Sequence, residues 1–128
     1  VLHEYFHYAT WRLAPRSPEH EEFVRIVMET WRATGGEPDV GLDVPRWLGE
    51  LGFETKEIRP ILEVVTPRDP LWQWPKTFVG SGLRRLVELG RLTPERAESI
   101  ARAFAAAEAT PDAFLVTPAV LEVIAVRR

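Results

Sequence analysis

Two strand-like apolar runs, residues 53–65 and 113–127, are separated by nearly fifty residues of helical character, and a third such run opens the chain at residues 1–6. A sheet built from these runs must join its last two strands through a long helical excursion, not a hairpin. The two long runs are not alike. Pro60 has no N–H to give a ladder, and Glu54, Lys56, Glu57, Arg59 and Glu63 interrupt the apolar positions, which predicts a strand at a sheet edge. From Ala119 to Val126 only Glu122 is polar, the pattern of a strand inside the sheet with both faces covered.

Helix signals fill the intervals. Ser17-Pro18 followed by Glu19, Glu21 and Glu22 predicts a helix over 18–34, because proline fits the first turn and carboxylates favour the positive dipole end. Phe23, Ile26, Val27 and Trp31 form its apolar stripe, and Gly35-Gly36 stops it. A second helix is expected over 44–51, with Asp43 as its cap, Trp47, Leu48 and Leu51 on one side, and Gly52 in the left-handed position that ends it. Trp31 and Trp47 read as core residues. Residues 75–108 read as an antiparallel helical hairpin around Gly90. Val79, Leu83, Leu86 and Val87 share one face, and Thr93-Pro94-Glu95 starts the helix that carries Ala97, Ile100, Ala101 and Phe104. The Pro-rich stretch 66–75 reads as a rigid loop.

Composition narrows the functional classes. With 16 basic and 19 acidic residues interspersed, the chain has a formal charge of −3 and no positive stripe to neutralise a phosphate backbone, so nucleic acid is not an expected partner. The absence of cysteine removes disulfides, thiolate nucleophiles and thiolate metal sites, and suits a cytoplasmic protein. No apolar stretch reaches the roughly 20 residues of a membrane span. Val1-Leu2-His3-Glu4-Tyr5 has neither an initiator methionine nor the regions of a signal peptide, so the chain is expected to begin in mid-protein, within one domain.

The turn Glu50-Leu51-Gly52-Phe53, leading from a helix into a strand, then a helical excursion, then a final strand, resembles the C-terminal part of class I S-adenosylmethionine-dependent methyltransferases. The resemblance spans essentially all 128 residues. It extends to Glu4-Tyr5-Phe6, Thr10-Trp11-Arg12 and Leu71-Trp72-Gln73-Trp74-Pro75, which look like a bacterial subgroup with helical insertions near the active site. It implies an α/β fold: the last three strands of a partial Rossmann-like methyltransferase sheet, the final strand inserted antiparallel between the other two, with a helical lid. Residues 1–6, 53–65 and 113–127 would be the family's fifth, sixth and seventh strands. The family's Gly-rich loop and the acidic residue ending its second strand have no counterpart here. The resemblance therefore implies S-adenosylmethionine as cofactor of the full-length protein, with no cofactor-binding residue in this chain, and predicts that the isolated 128 residues are inactive.

In open α/β sheets, ligands bind beyond the carboxyl ends of the parallel strands, and an antiparallel last strand begins at that same rim. The excursion over 66–112 would leave from and return to the ligand side. Methyl transfer depends mainly on alignment and exclusion of water, so aromatic side chains suit it: Tyr5, Tyr8, Trp11, Trp72, Trp74 and Phe78 are the candidate walls of a pocket for a small-molecule methyl acceptor. Trp72 and Trp74 flank Pro-rich chain and are open to packing or to substrate contact. For an acidic or hydroxyl acceptor, His3 or His7 would take the proton and Arg12 would hold a carboxylate.

Two other motifs compete. His3-Glu4-Tyr5-Phe6-His7 matches the H-E-x-x-H pattern of zinc hydrolases, with Glu22 or Glu29 as a further ligand, but that pattern needs a helix where these residues favour a strand. Gly80-Ser81-Gly82 resembles the start of a nucleotide loop, yet position 85 is arginine and the surroundings read as a bent helix. A non-catalytic binding or dimerisation module would share the same order of elements. If nothing occupies the place beside residues 1–6, the open edge is expected to pair with a second copy or with the missing N-terminal part.

Overall fold

The computed structural model describes residues 1–128 and is an α/β fold with two antiparallel sheets. In chain order the elements are β1 (Leu2–His7), β2 (Arg12–Ala14), α1 (Pro18–Ala33), α2 (Val44–Glu50), β3 (Phe53–Ile61) and β4 (Val64–Val65). They continue with α3 (Gln73–Glu88), α4 (Pro94–Glu108), β5 (Phe114–Val116) and β6 (Ala119–Arg127). The larger sheet runs β1-β6-β3, with β6 antiparallel to both neighbours and β1 therefore parallel to β3. β3 is an edge strand, as Pro60 requires, and Pro60 lies opposite Leu121.

The expected strand 53–65 is broken after Ile61, and the expected strand 113–127 is broken at Thr117-Pro118. Beyond those breaks β2, β5 and β4 form a second small sheet in the order β2-β5-β4. Each of its strands continues one strand of the larger sheet, so the two sheets are one three-stranded ribbon interrupted at its middle. Pro118 has no N–H, and threonine side chains replace the ladder there. Thr117 N donates to Glu63 O (3.0 Å) and Glu63 N donates to Thr117 Oγ1 (3.0 Å). Ala119 N donates to Thr10 Oγ1, whose hydroxyl donates to Thr117 O, both at 2.8 Å. Thr117 is buried. Thr117→Val keeps the shape and removes the acceptor of the Glu63 amide. Because Glu63 is exposed and water can take the bond's place, the expected cost is roughly 0.5–1.5 kcal/mol, read as a lower denaturant midpoint with an unchanged slope.

The core lies against the small sheet. Leu13, Leu115 and Val65 stand opposite one another across its three strands, and all three are buried. They share one cluster with Phe23, Val24, Ile26 and Val27 of α1, Val79, Leu83 and Leu86 of α3, and Ile100 and Phe104 of α4. The caps act as their residue types dictate: Ser17 Oγ accepts from His20 N (3.2 Å) and Thr93 Oγ1 from Arg96 N (3.1 Å). The Asp43 side chain makes no such bond and faces Arg46 instead. Gly52 ends α2 at φ +82°, in the left-handed region. An ion pair between Arg96 and Glu22 ties α4 to α1 and holds the Glu22 carboxyl below its usual range.

The larger sheet is covered less than its apolar last strand implied. β6 lies in its middle, but only Ala119 and Val123 of that strand are buried, because α1, α3 and α4 pack on the small sheet instead. α2 lies against β3, and the 3-10 turn Val40–Leu42 lies against β1. Gly41 makes that second approach possible: a Cβ there would stand 2.7 Å from Tyr5 O. Trp47, expected in the core, is 41 % exposed with the Arg46 guanidinium over its ring at 5.8 Å. The hairpin begins at Gln73, two residues earlier than expected, after a 3-10 turn over Pro70–Trp72. α3 runs unbroken through Gly80-Ser81-Gly82, where the missing side chain at Gly82 admits the Phe23 ring. No helix is long and apolar enough to cross a membrane.

Candidate functional site

The carboxyl ends of β1 and β3 and the amino end of β6 meet at one rim: His7 lies opposite Ala119, and Ile61 opposite Val120. At that rim the register of β1 slips between Tyr5 and His7, leaving Phe6 as an extra residue. The chain then turns through a 3-10 helix, Tyr8–Thr10, whose first amide donates to Asp39 Oδ1 at 2.8 Å. Bulge and turn together aim Tyr8 and Trp11 inward, where both are almost fully buried.

A cavity of about 90 Å³ opens here, lined by Tyr5, Tyr8, Trp11, Trp31, Trp74 and Phe78 and closed by Pro75 and Pro118. Five of these rings, all but Trp74, brace one another. Tyr5 and Tyr8 pack edge to face at 5.1 Å, Tyr8 and Trp31 at 5.0 Å, and Trp11 stands 5.6 Å from Phe78. Burial, with the nearby Glu4 carboxylate, raises the pKa of the Tyr5 phenol, and burial followed by Tyr5 raises that of Tyr8. Both phenols are therefore neutral near pH 7, and no charged side chain lines the cavity. A second hollow of about 510 Å³, between α1 and α3, shares Trp31 and Phe78 with it and carries Thr30, Thr34, Ser81 and Arg85.

Five expected pocket residues, Tyr5, Tyr8, Trp11, Trp74 and Phe78, are thus brought together. Trp72 is not among them. Fully buried, it packs 5.6 Å from Phe104 and donates its indole N–H to Glu108 Oε2 at 2.6 Å. Lys76, with the indole as a further donor, holds the Glu108 carboxyl below its usual range. Arg12 lies outside the cavity and pairs with Glu21 at 3.1 Å.

His3 and His7 do not line the cavity either. His3 sits on the sheet face in a row with Glu122 and Arg59, its Nε2 2.7 Å from Glu122 Oε2. His3, then Arg59, lowers the Glu122 carboxyl pKa. His7 is exposed at the strand end. Because residues 2–7 form a strand, the one-turn spacing that H-E-x-x-H requires is not present. The residue the sequence reading missed is Trp31, which belongs to the α1 stripe but turns its ring to the cavity. Its place at the C-terminal end of that stripe, one turn before Gly35-Gly36, is the only sequence signal for it.

No protein-family model, curated protein or solved structure matches this chain. The cavity is far too small and too apolar for a nucleoside-bearing cofactor, and the chain has no Gly-rich loop between a strand and a helix to hold one. What it fits is a small apolar group, or one whose charge needs no hydrogen bonds. The mutually braced rings would hold such a group in one orientation and keep water from it.

Proposed function

We propose that this chain is the substrate-side portion of an S-adenosylmethionine-dependent methyltransferase acting on a small molecule, with the cofactor site supplied by residues outside these 128. The observation that carries the reading is the placement of the aromatic cavity at the rim where parallel β1 and β3 end and antiparallel β6 begins. That rim is where open α/β sheets bind ligands. The β1-β6-β3 order is the order the resemblance implies for the last three strands of a Rossmann-like methyltransferase sheet. Methyl transfer needs alignment and dryness more than an acid or base, which suits a cavity lined by rings and two prolines. In this reading α3 brings Trp74, Pro75 and Phe78 over the rim as the lid, and the adjoining hollow takes the body of the acceptor.

The test uses the intact full-length protein. Calorimetric titration with S-adenosylmethionine is expected to show saturable binding that Trp74→Ala leaves unchanged, because Trp74 belongs to the acceptor side. The same variant is expected to lower methyl transfer, followed by mass spectrometry, on the order of tenfold to a hundredfold. An intact protein that does not bind S-adenosylmethionine would sink the reading and leave a binding module without catalysis.

A further inference from the structure

The aromatic cavity has a ligand preference of its own. About 90 Å³ is roughly three water molecules' share of liquid volume, so it takes one end of a molecule and not the whole. Its walls are ring faces and edges from Tyr5, Tyr8, Trp11, Trp31, Trp74 and Phe78, with almost no polar surface. Ring faces attract a cation, most strongly where water is excluded. A primary ammonium entering here would bring three N–H donors with few acceptors to meet them, whereas a fully methylated ammonium has none to satisfy.

The charges around the mouth favour the same sign. The nearby guanidinium groups are already committed, Arg32 to Glu37 and Asp39, and Arg12 to Glu21. Glu4 has no ion-pair partner, and its carboxylate is close enough to Tyr5 to act on the phenol. A shallow hollow bordered by Glu4 shares Tyr5 and Trp31 with the cavity, and its other carboxylate, Glu37, is already paired with Arg32. Trp74 lines the cavity, is 49 % exposed, and has no aromatic neighbour packed on it.

We infer that this cavity is a binding site for a fully N-methylated ammonium group, held by the ring faces of Tyr5, Trp31 and Trp74 and favoured by the Glu4 carboxylate. Resting on the methyl-transfer proposal, the acceptor class becomes a tertiary amine and the cavity holds its quaternary product. Binding of the cation itself does not depend on that reading.

The test is a titration of the full chain, without any methyl donor, with tetramethylammonium chloride and with choline. The neutral carbon analogue 3,3-dimethylbutan-1-ol and sodium chloride at matched ionic strength serve as controls. Tryptophan fluorescence and broadening of the ligand methyl proton signals give the readout. Both cations are expected to bind saturably, with choline tighter than its neutral analogue by roughly tenfold, the size of a desolvated cation–π contact. Trp74→Leu and Trp31→Leu are each expected to weaken choline binding by a similar factor, and circular dichroism checks that the variants are folded. Trp74 is exposed enough that its variant is expected to fold. Equal affinity for the neutral analogue would overturn the inference in favour of a plain apolar pocket. Absence of saturation, or cation binding indifferent to Trp74→Leu, would overturn it outright. Because no donor is present, failure here leaves the S-adenosylmethionine titration to judge the transfer reading separately.

Discussion

Replacing Trp72 by alanine is expected to remove about 3–5 kcal/mol of folding stability, a large part of the 5–15 kcal/mol that holds a domain together. The side chain is 0 % exposed, packs on Phe104, and is anchored by its indole N–H on Glu108. Truncation leaves a cavity between the start of α3 and the end of α4 and removes one of the two side-chain donors to that carboxylate. In thermal unfolding the midpoint should drop on the order of 10–20 °C. Trp74, two residues later, makes the contrast. Because half of its surface is in solvent, Trp74→Ala should move the midpoint by no more than a few degrees while removing a wall of the aromatic cavity. A Trp72→Ala protein that melts like the parent would show that Trp72 does not hold α3 to α4.

The second large effect is on the pH dependence of stability. His20 is 1 % exposed, its ring lies among Trp11, Phe23 and Phe104, and neither ring nitrogen has a hydrogen-bond partner. Burial lowers its pKa from 6.5 to about 4, against a smaller upward pull from the Glu21 carboxylate. The unfolded chain therefore takes up a proton near pH 6.5 that the folded chain refuses until about pH 4. Between those values the unfolded state binds more protons, so stability rises with pH across the window and falls as the solution is acidified. From the size of the shift, the loss is about 3 kcal/mol by pH 4, and His20 contributes no pH dependence above pH 7. His20→Leu is expected to flatten this part of the profile. At neutral pH it should also match or exceed the parent, because two buried unpaired nitrogens are removed. Denaturant titrations of both proteins at pH 4, 5.5 and 7.5 measure the difference directly, and parallel losses in the two would show that the ring is hydrated.

His20 also shows where the fold gives up stability. The indole N–H of Trp11 and the hydroxyl of Thr30 are buried and unpaired as well. Trp11 lines the aromatic cavity, and its ring stands 5.0 Å from His20.

Local chemistry sets many of the element boundaries. Ser17, Thr93 and Gly52 mark helix boundaries through bonds and dihedral angles confined to a few residues. Pro60 and the charges around it place β3 at an edge because a missing donor cannot be hidden in a ladder. Tyr5, Tyr8 and Trp11 were legible as rim residues because they stand at or just past the end of β1, whereas Trp74 and Phe78 reach the cavity from α3, a placement that packing decides. The failures share a different cause. Trp31, Trp47 and Trp72 all lie on helices, helix-start turns or helical stripes, and periodicity says which side of a helix is apolar without saying what that side meets.

What the amino-acid order determined by itself was the four α-helices, the three strands of the larger sheet, the middle place of β6, the margin for β3, and the aromatic character of one rim; β2 and the separate strands β4 and β5 were not legible in it. Tertiary packing alone decided that the ribbon breaks at Thr117-Pro118, that the helices cover its smaller part, and that Trp72 is core while Trp31 is wall. The reason is range. Caps, turns and strand patterns depend on neighbours a few residues away, whereas those later choices depend on contacts such as Thr10 with Thr117 and Trp72 with Glu108, which unite residues that nothing in the local pattern connects.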